Sequence, residues 1–415
     1  MHKITTNERQ GQIPEITQTL DELAREGARR MIVAALEVEV EHYIQELRDL
    51  CTENGHAIAV RNGKAQERTV SLGAGQIKIK APRVNDRRPD HRFTSKILPP
   101  YMRRSPRLNE ALPILYLRGL STGDFEEAIP ALLGSDAAGF SATTITRLLT
   151  VWQEEYKGWR KRPLTGKEYV YMWADGVYLG VRLGEDKRLA CLVLVGVRAD
   201  GTKEVIALQD GYRESTESWL SLLRDLKRRG MPAPKLAIGD GALGFWAALR
   251  QVYPETQAQR CWVHKIANVL DKLPKRVQPR AKDMLHEIMY APDPDSALED
   301  IERFSKEFEA KYAKAVECLT KDQDELLTFF DFPEKHWIHL RTTNPIESAF
   351  STVKSRTRRT KGAGSRKAGL AMAFKLLLAA EKRWRKITAP HLAALVQAGV
   401  KFPGGQQKLT SVRTS

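Results

Sequence analysis

The chain has 415 residues, of which 42 % are hydrophobic and 28 % are charged. This composition is typical of a globular protein with about two to four domains, so a disordered or fibrous protein is excluded. The net charge of +16 favours a polyanionic partner. Nucleic acid is the commonest such partner, and a soluble basic protein without one is the alternative.

Cysteine spacing and apolar runs exclude two further classes of protein. The four cysteines contain no C-x-x-C pair, so the sequence predicts neither a disulfide framework nor a complete structural zinc site. No apolar run reaches the roughly 18–20 residues that span a bilayer, and the polar start of the chain has no signal core. We therefore expect no membrane contact and a reducing, cytoplasmic location.

The first part of the chain is predicted to form a helical region followed by a small basic segment. Residues 1–50 carry apolar side chains at helical spacing and offer a surface for dimerisation. In residues 51–107, Asn62–Gly63 is a turn signal and Gln76–Lys80 alternates like a strand of a small β-hairpin. Pro82 to Arg107 is interpreted as a basic linker, which either lies along the phosphates of a nucleic acid or is a solvated connector.

Residues 108–165 are predicted to form a helix-turn-helix DNA-binding domain of three helices. Pro113 is expected in the opening turn of the first helix, and Pro130 is expected to interrupt the second. The third helix, capped by Ser141, would present its polar first turn to DNA base edges. Its candidate DNA contacts are Thr143, Thr144 and Arg147. The alternative is a helical hairpin that binds nothing.

Residues 166–264 have the pattern of an α/β fold with a mixed sheet and flanking helices. The predicted strands are Tyr169–Ala174, Leu189–Val197, Glu204–Gln209, Lys235–Ile238 and Cys261–Val263. With the intervening helices, the order β-β-β-α-β-α-β is that of an RNase H-like catalytic core, in which the first and fourth strands are neighbours. The ends of these two strands would bring Asp175 and Asp240 together.

An all-α insertion is predicted in residues 265–340, because roughly 75 residues cannot be a simple loop in a compact domain. Residues 341–400 would complete the core, and residues 401–415 are expected to form a flexible tail. The completing segment contains a predicted helix start, with Asn344 suited to the N-cap and Pro345 suited to the first helical position.

Glu347 lies in the first turn of that predicted helix, and Lys354 lies two turns later on the same face. Arg356, Arg358 and Arg359 follow closely. The helix therefore combines a carboxylate with cations that suit a phosphate backbone. The alternative is a capping box, in which the Glu347 carboxylate only accepts a hydrogen bond from the backbone N–H of the cap residue.

Three carboxylates stand out as candidate catalytic residues: Asp175, Asp240 and Glu347. Phosphoryl transfer on DNA needs two divalent ions roughly 3.5–4 Å apart, and Mg²⁺ prefers carboxylates, water and phosphate oxygens. The sequence therefore predicts that these residues hold two Mg²⁺ ions, or Mn²⁺ in their place. Taken singly, each aspartate also fits a turn, since both occur in Asp-Gly pairs.

Six sequence blocks carry a family resemblance. They are YMWADGVYLGVRL, GVRADGTKE, DGYRESTESW, GDGALGFW, QRCWVHK and HLRTTNPIESAFSTVK. Between Gly11 and Val400 the chain resembles the IS256 (Mutator-like) family of bacterial insertion-sequence DDE transposases.

This resemblance implies an enzyme that binds the terminal inverted repeats of an element, cleaves a DNA strand and joins the freed 3′-hydroxyl to another phosphodiester. It also implies a homodimer on double-stranded DNA, associated with the bacterial nucleoid. Asp175, Asp240 and Glu347 would be the DDE triad. Lys354 would be the basic residue after the glutamate, and Lys354 and Arg356 would grip the DNA backbone.

Cys261 and His264 match the C-x-x-H signature of the same family. The pair is half of a zinc ligand set, and no second pair is found, so structural zinc is disfavoured. His264 is instead expected to position DNA or a catalytic carboxylate.

Two other functions remain compatible with these residues. An RNase H-like nuclease would cut DNA without joining it, and an inactive relative would bind DNA without cutting it. The intact triad favours an enzyme over the inactive binder.

Overall fold

The structure, a computed structural model, describes residues 19–120, 124–133, 142–182, 188–211, 215–241, 243–359 and 362–408. The predicted cap Ser141 lies outside these ranges, as do residues 409–415 of the predicted tail. The chain divides into two compact units between Thr146 and Arg147. This boundary falls inside the segment that the sequence predicts to be a helix-turn-helix domain.

The N-terminal unit combines a long helix with short antiparallel strand pairs. Thr19 and Glu22 form a capping box at the start of this helix, and Leu36 is one of its buried residues. Leu36 belongs to a hydrophobic cluster with Val70, Ile77, Ile79 and Leu98. The elements are α1 (Leu20–Glu46), β1 (Ala59–Lys64), β2 (Arg68–Leu72), β3 (Gly75–Ile79), β4 (Pro82–Asp86), α2 (Pro106–Arg118) and α3 (Asp124–Leu133).

Two predictions for this unit are wrong. Asn62–Gly63 is not a hairpin turn, because both residues lie in β1, where the register against β4 shifts between Arg61 and Lys64. Gly63 has φ +62°, a value that glycine adopts freely, so a turn and a bulge share the same sequence signal. Residues 82–86, predicted as linker, form β4 and pair with β1.

Three helices are present in the described part of the predicted helix-turn-helix segment: α2, α3 and α4 (Ala142–Arg160). Pro113 lies inside α2, because that helix already begins at Pro106 after the Ser105 cap. Pro130 lies inside α3 and does not interrupt it. Its neighbour Ile129 is buried, so the helix keeps its packed apolar face at the point where proline removes a backbone hydrogen bond.

The C-terminal unit is built on a mixed sheet. Its strands are β5 (Tyr169–Gly180), β6 (Arg188–Arg198), β7 (Lys203–Gly211), β8 (Leu236–Gly239) and β9 (Gln257–Arg260). They lie in the order β7-β6-β5-β8-β9. β5, β6 and β7 are antiparallel neighbours, whereas β8 runs parallel to both β5 and β9. The predicted pairing of the first and fourth strands is confirmed.

Helices cover this sheet and fill the region between β9 and the last part of the unit. They are α5 (Thr216–Arg228), α6 (Leu243–Val252), α7 (Trp262–Leu270), α8 (Gln278–Met289), α9 (Pro294–Thr320), α10 (Gln323–Leu327), α11 (Trp337–Leu340), α12 (Asn344–Arg359), α13 (Arg366–Glu381) and α14 (His391–Gln397). Ser215 is the N-cap of α5, and its side chain accepts from the Ser218 N–H. Across the described ranges, none of the helices combines the length and the apolar character that a membrane crossing requires.

Two strand predictions need correction. β5 continues through Asp175 and Gly176, which pair with Val193 and Leu192 of β6, so the first strand does not end there. This pairing also removes the interpretation of Asp175 as a turn residue. The last strand is Gln257–Arg260 and not Cys261–Val263, because it lies at the edge of the sheet, where polar side chains are tolerated.

Candidate active site

Two neighbouring parallel strands place the candidate aspartates side by side. Ala174 of β5 pairs with Gly239, the last residue of β8. Asp175 on β5 and Asp240 directly after β8 are therefore the next residues along these two neighbouring segments. Parallel neighbours lie about 4.8 Å apart, and equivalent positions point to the same face of the sheet. The Gly176 N–H donates to Asp175 Oδ1 over 2.7 Å. The register of the sheet thus brings together the two carboxylates.

The turn after Asp240 is held by charged groups that reach into the helical region. Gly241 has φ +94°, and a Cβ there would lie 2.4 Å from Cζ of Arg260. Arg260 pairs with Asp322 just before α10, and the fully buried Lys265 pairs with the same carboxylate. Both cations contact this one carboxylate, so the group links Arg260 to the helical region. The helical region therefore stabilises the backbone next to Asp240.

Glu347 reaches the site on α12, which packs against β5 through buried residues such as Phe350. The chain returns to the same strand after the helix. The Ala363 N–H donates to the Gly180 carbonyl over 2.9 Å. Gly362 has φ +101°, and a Cβ there would lie 2.8 Å from that carbonyl oxygen. Close backbone contact therefore fixes the far end of α12 on β5.

The start of α12 differs from the predicted cap. The N–H groups of Ile346 and Glu347 donate to the carbonyl of Thr343, so Thr343 and not Asn344 occupies the cap position. The Thr343 hydroxyl donates to Glu347 Oε1 over 2.6 Å. The Thr343 N–H faces Cys261 Sγ. The capping-box interpretation of Glu347 is therefore wrong, because its carboxylate accepts from a hydroxyl instead of the cap N–H.

Thr343, Cys261 and His264 form a hydrogen-bonded group beside the Glu347 carboxylate. The Thr343 hydroxyl lies 3.3 Å from Cys261 Sγ, and His264 Nδ1 lies 3.2 Å from the same sulfur. His264 Nδ1 is 3.9 Å from Glu347 Oε1. The Cys261 N–H donates to the carbonyl of Gly239 over 2.8 Å. The C-x-x-H pair thus contacts both the end of β8, next to Asp240, and the start of α12, which carries Glu347.

Cys261, His264 and Glu347 also offer metal-ligand atoms within 4.8 Å of one another. Among the described residues, this three-ligand group is one short of the usual four-ligand structural zinc site. Its carboxylate belongs to the candidate triad. We therefore interpret the group as hydrogen-bonded support for Glu347.

The charged groups of the site influence one another strongly. Burial and, after it, the negative charges of Asp240 and Glu347 raise the pKa of Asp175 to about 7. The hydrogen bond to Cys261 raises the pKa of His264 to about 9, with added effects of Glu347 and Asp240. Burial alone would raise the pKa of Cys261, but hydrogen bonds from His264 and Thr343 lower it overall. Such concentrated negative charge favours a bound cation.

The candidate DNA contacts divide by exposure. The exposed ones are Arg147, Lys354, Arg358 and Arg359. Thr144 is half-buried, and the side chain of Thr143 lies outside the described residues. Arg356 is only 3 % exposed, because it lies on the packed face of α12 with Val353 and Thr357. A surface contact between Arg356 and a phosphate does not fit this position.

Sequence reasoning missed three residues that support the site. Thr343 carried a usable signal, because threonine is a good N-cap and precedes a proline-containing helix start. Arg260 and Asp322 carried none, because their pairing joins segments that are far apart in sequence.

A sequence model of the family described as "Transposase, Mutator family" matches residues 1–386 of the chain. The chain belongs to this transposase family. The resemblance indicated by the six sequence blocks is therefore confirmed. As a Mutator-family transposase, the protein belongs to a class of enzymes that cleave and transfer DNA.

Curated relatives extend this finding. The Mutator-family chain is 58 % identical over 299 residues to the transposase for insertion sequence element IS6120 of Mycolicibacterium smegmatis, covering 72 % of this chain and 92 % of that protein. It is 49 % identical over 288 residues to the transposase for IST2 of Acidithiobacillus ferrooxidans, covering 68 % and 95 % respectively. A more distant relative is the transposase for IS256 in transposon Tn4001 of Staphylococcus aureus, 27 % identical over 319 residues, covering 76 % and 78 %.

Proposed function

We propose that this Mutator-family chain is the transposase of an insertion sequence and that it acts through a DDE triad in an RNase H-like core. The triad would be Asp175, Asp240 and Glu347. One observation carries the proposal: β5 and β8 are parallel neighbours, and their next residues after the paired segment are the two aspartates. The influence of Glu347 and Asp240 on the pKa of Asp175 supports the third member.

The donor set fits magnesium. Asp240 and Glu347 both raise the pKa of Asp175, so the three carboxylates form a hard, negatively charged oxygen site of the kind that suits Mg²⁺ or Mn²⁺. Two such ions, when bound, would activate the attacking oxygen and stabilise the leaving oxygen of a phosphodiester. Asp175, Asp240 and Glu347 would hold them. Thr343 and His264 would orient the Glu347 carboxylate from behind.

Basic side chains near the triad would hold the DNA. Lys354, Arg358 and Arg359 lie on the exposed part of α12, beyond Glu347, and would contact phosphates. The polar start of α4, with Thr143, Thr144 and Arg147, would read terminal inverted repeats as part of a helix-turn-helix. A reaction that joins two element ends needs both ends together, so we propose a homodimer on double-stranded DNA in the bacterial nucleoid.

Strand cleavage at an element end tests this proposal directly. Purified protein is incubated with supercoiled DNA that carries the ends of its own element, with Mg²⁺ or with EDTA. We expect metal-dependent nicking at the element boundary, followed by products in which the freed 3′-hydroxyl is joined to DNA. Glu347→Gln should abolish both products, because the amide removes a charged ligand.

Glu309→Gln is the matched control, since Glu309 is exposed on α9 and the same change leaves the site intact. Nicking by the Glu347→Gln variant at the wild-type rate would refute the triad. Nicking without joined products would instead support a nuclease that cuts without transfer.

A further inference from the structure

Three side chains at the starts of α7 and α12 form one cluster of metal-binding groups. Cys261 is the N-cap residue of α7, and His264 lies in the first turn of that helix. Their ligand atoms and a carboxylate oxygen of Glu347 all lie within 4.8 Å of one another. The proposed magnesium site uses only the carboxylate of this cluster, so it gives the sulfur and the imidazole nitrogen no role as ligands.

The spacing of these atoms is close to the spacing around a tetrahedral zinc ion. With Zn–S of about 2.3 Å and Zn–N or Zn–O of about 2.1 Å, the sulfur lies about 3.6 Å from the nitrogen and the nitrogen about 3.4 Å from the oxygen. In the structure, Cys261 Sγ is 3.2 Å from His264 Nδ1, and His264 Nδ1 is 3.9 Å from Glu347 Oε1. Each of these two distances differs from the ideal by about half an ångström or less, so rotation of the His264 and Glu347 side chains can bring the ligands into place.

The sulfur of this cluster is buried, whereas the other two ligands are open to solvent. Cys261 is fully buried, and the Thr343 N–H is directed at its Sγ over 3.4 Å. An N–H directed at a sulfur favours the thiolate, which is the form that binds metal ions. The side chains of His264 and Glu347 are 37 % and 36 % exposed, so an ion can enter from their side and keep water as its fourth ligand.

We propose that Cys261, His264 and Glu347 form an additional metal site, for a thiophilic divalent ion such as Zn²⁺. A thiolate and an imidazole select such an ion over Mg²⁺, whereas carboxylates and water suit the harder ion. Any proton between Sγ and Nδ1 leaves for solvent when the ion binds. The Glu347 carboxylate would be shared by the two sites, so zinc would draw it towards α7 and weaken magnesium binding by the triad. This consequence rests on the proposed function, because it requires Glu347 to be a magnesium ligand, whereas zinc binding itself does not.

The ion of this site would be exchangeable. A structural zinc site has four protein ligands and stabilises the fold outright. Here the Thr343 hydroxyl contacts Glu347 and His264 contacts Cys261 without an ion, so the same side chains are held when zinc is absent. We therefore expect that a chelator removes the zinc without unfolding the protein.

The spectrum of bound Co²⁺ tests the site without any DNA. Full-length protein is stripped with EDTA, freed of the chelator and titrated with Co²⁺ in excess Mg²⁺. We expect one tetrahedral Co²⁺ per chain with a thiolate-to-metal charge-transfer band, because Co²⁺ and Zn²⁺ bind the same kinds of ligand. One equivalent of Zn²⁺ should remove the band. A wild-type protein without this band at saturating Co²⁺ would overturn the proposal.

Variants assign the band to its ligands. Cys261→Ser should lose the band, and Cys51→Ser is the matched control that should keep it, because Cys51 is exposed and lies outside the cluster. Melting curves show whether Cys261→Ser is folded. His264→Gln, at a solvent-accessible position, should weaken Co²⁺ binding at least about tenfold and decides the matter if the buried substitution unfolds the chain. Asp175→Asn should keep the band, since this residue belongs to the triad alone. A band that persists in Cys261→Ser, or one that disappears in Asp175→Asn, would refute the site.

Strand cleavage tests the effect of zinc on Glu347. Wild-type protein with one equivalent of Zn²⁺ per chain is assayed for nicking at the element boundary in excess Mg²⁺. We expect nicking to fall to at most about a tenth of the zinc-free rate as the site fills, and to return when a zinc-selective chelator is added. Full nicking by the zinc-saturated chain would overturn the shared use of Glu347. A wild type that fails to nick without zinc would contradict the proposed function alone, because the Co²⁺ spectrum still decides whether the site binds.

Discussion

The two sides of the candidate site are held by different means. Asp175 and Asp240 are placed by backbone pairing, since each directly follows a residue of the parallel ladder between β5 and β8. Glu347 is placed by side chains, through the Thr343 hydroxyl and the neighbouring His264. Backbone hydrogen bonds between strands persist through many side-chain changes. The position of a carboxylate that accepts from one hydroxyl, in contrast, depends on that single side chain. We therefore expect mutations around the two sides to have different consequences.

Removing a strand-side carboxylate should have the largest effect. We expect Asp240→Asn to reduce strand cleavage by at least about a thousandfold while binding to element ends is retained. Asp200→Asn is the matched control, because Asp200 also precedes a glycine but lies in an exposed turn. Cleavage and end binding are measured on the same DNA. Loss of binding together with cleavage would assign Asp240 a folding role.

The backbone next to Asp240 should be the next most sensitive feature. In Gly241→Ala, the new methyl group meets the Arg260 guanidinium and the backbone keeps φ +94°. Strain of this kind costs about 1–3 kcal/mol, so we expect a lower melting temperature and about tenfold to hundredfold slower cleavage.

Gly166→Ala provides the comparison, because Gly166 has φ +75° but open space around its Cβ position. It should show only the loss of stability caused by the backbone conformation. Equal losses of cleavage in the two variants would mean that the Arg260 contact is unimportant.

The hydrogen bond that positions Glu347 can be removed without removing a carboxylate. Thr343→Val deletes the hydroxyl that donates to Glu347, and we expect about a tenfold increase in the Mg²⁺ concentration needed for half-maximal cleavage. Thr343→Ser keeps the hydroxyl and should restore the wild-type requirement. Metal titrations of nicking distinguish these cases. If valine and serine behave alike, Glu347 does not depend on this hydrogen bond.

Acid should weaken the packing around His339 of α11, whose carbonyl accepts from Trp173 of β5. Burial lowers the pKa of His339 to about 4, helped by the charge of Lys203, and the Thr388 N–H donates to His339 Nε2 over 3.0 Å. A lowered histidine pKa means that the native state prefers the neutral ring. Its contribution to stability is complete above about pH 6.5 and is lost as the pH falls towards 4.

Melting curves between pH 7 and pH 4 measure this effect. We expect a loss on the order of 1–3 kcal/mol in wild type, after allowance for solvent. The loss should be smaller in His339→Gln, whose amide oxygen can accept the same hydrogen bond. An identical pH dependence in the two proteins would show that His339 does not titrate with unfolding.

The smallest effect is expected at the exposed cations. Lys354→Ala should weaken DNA binding several-fold and reduce the slope of log affinity against log salt by about 1, because one phosphate contact is lost. Arg356→Lys, at a buried position on the same helix, should leave the salt slope unchanged. Binding at several salt concentrations gives both slopes. A changed slope for Arg356→Lys would mean that Arg356 contacts a phosphate despite its burial.

The contrast between the two sides also explains what the sequence could predict. Alternating and apolar runs identified four of the five strands of the C-terminal unit. Their order implied that β5 and β8 are neighbours, which places Asp175 and Asp240 side by side. The helix with Glu347 was predictable from its own start signal. The support by Thr343, Arg260 and Asp322 was not, because these contacts depend on how distant helices pack. The passage of β5 through Asp175–Gly176 was missed because Asp-Gly also favours turns.

The contact between Gly180 and Ala363 has a consequence for the synthesis of the protein. The ribosome completes β5 long before α12, and domains fold as the chain emerges. The sheet can form early, but Glu347 is fixed in place only after Gly362 and Ala363 have reached the end of β5. A nascent chain, or a product truncated before residue 341, would carry both aspartates without the glutamate. With the proposed triad, such a chain would be unable to cut DNA until its synthesis was almost finished.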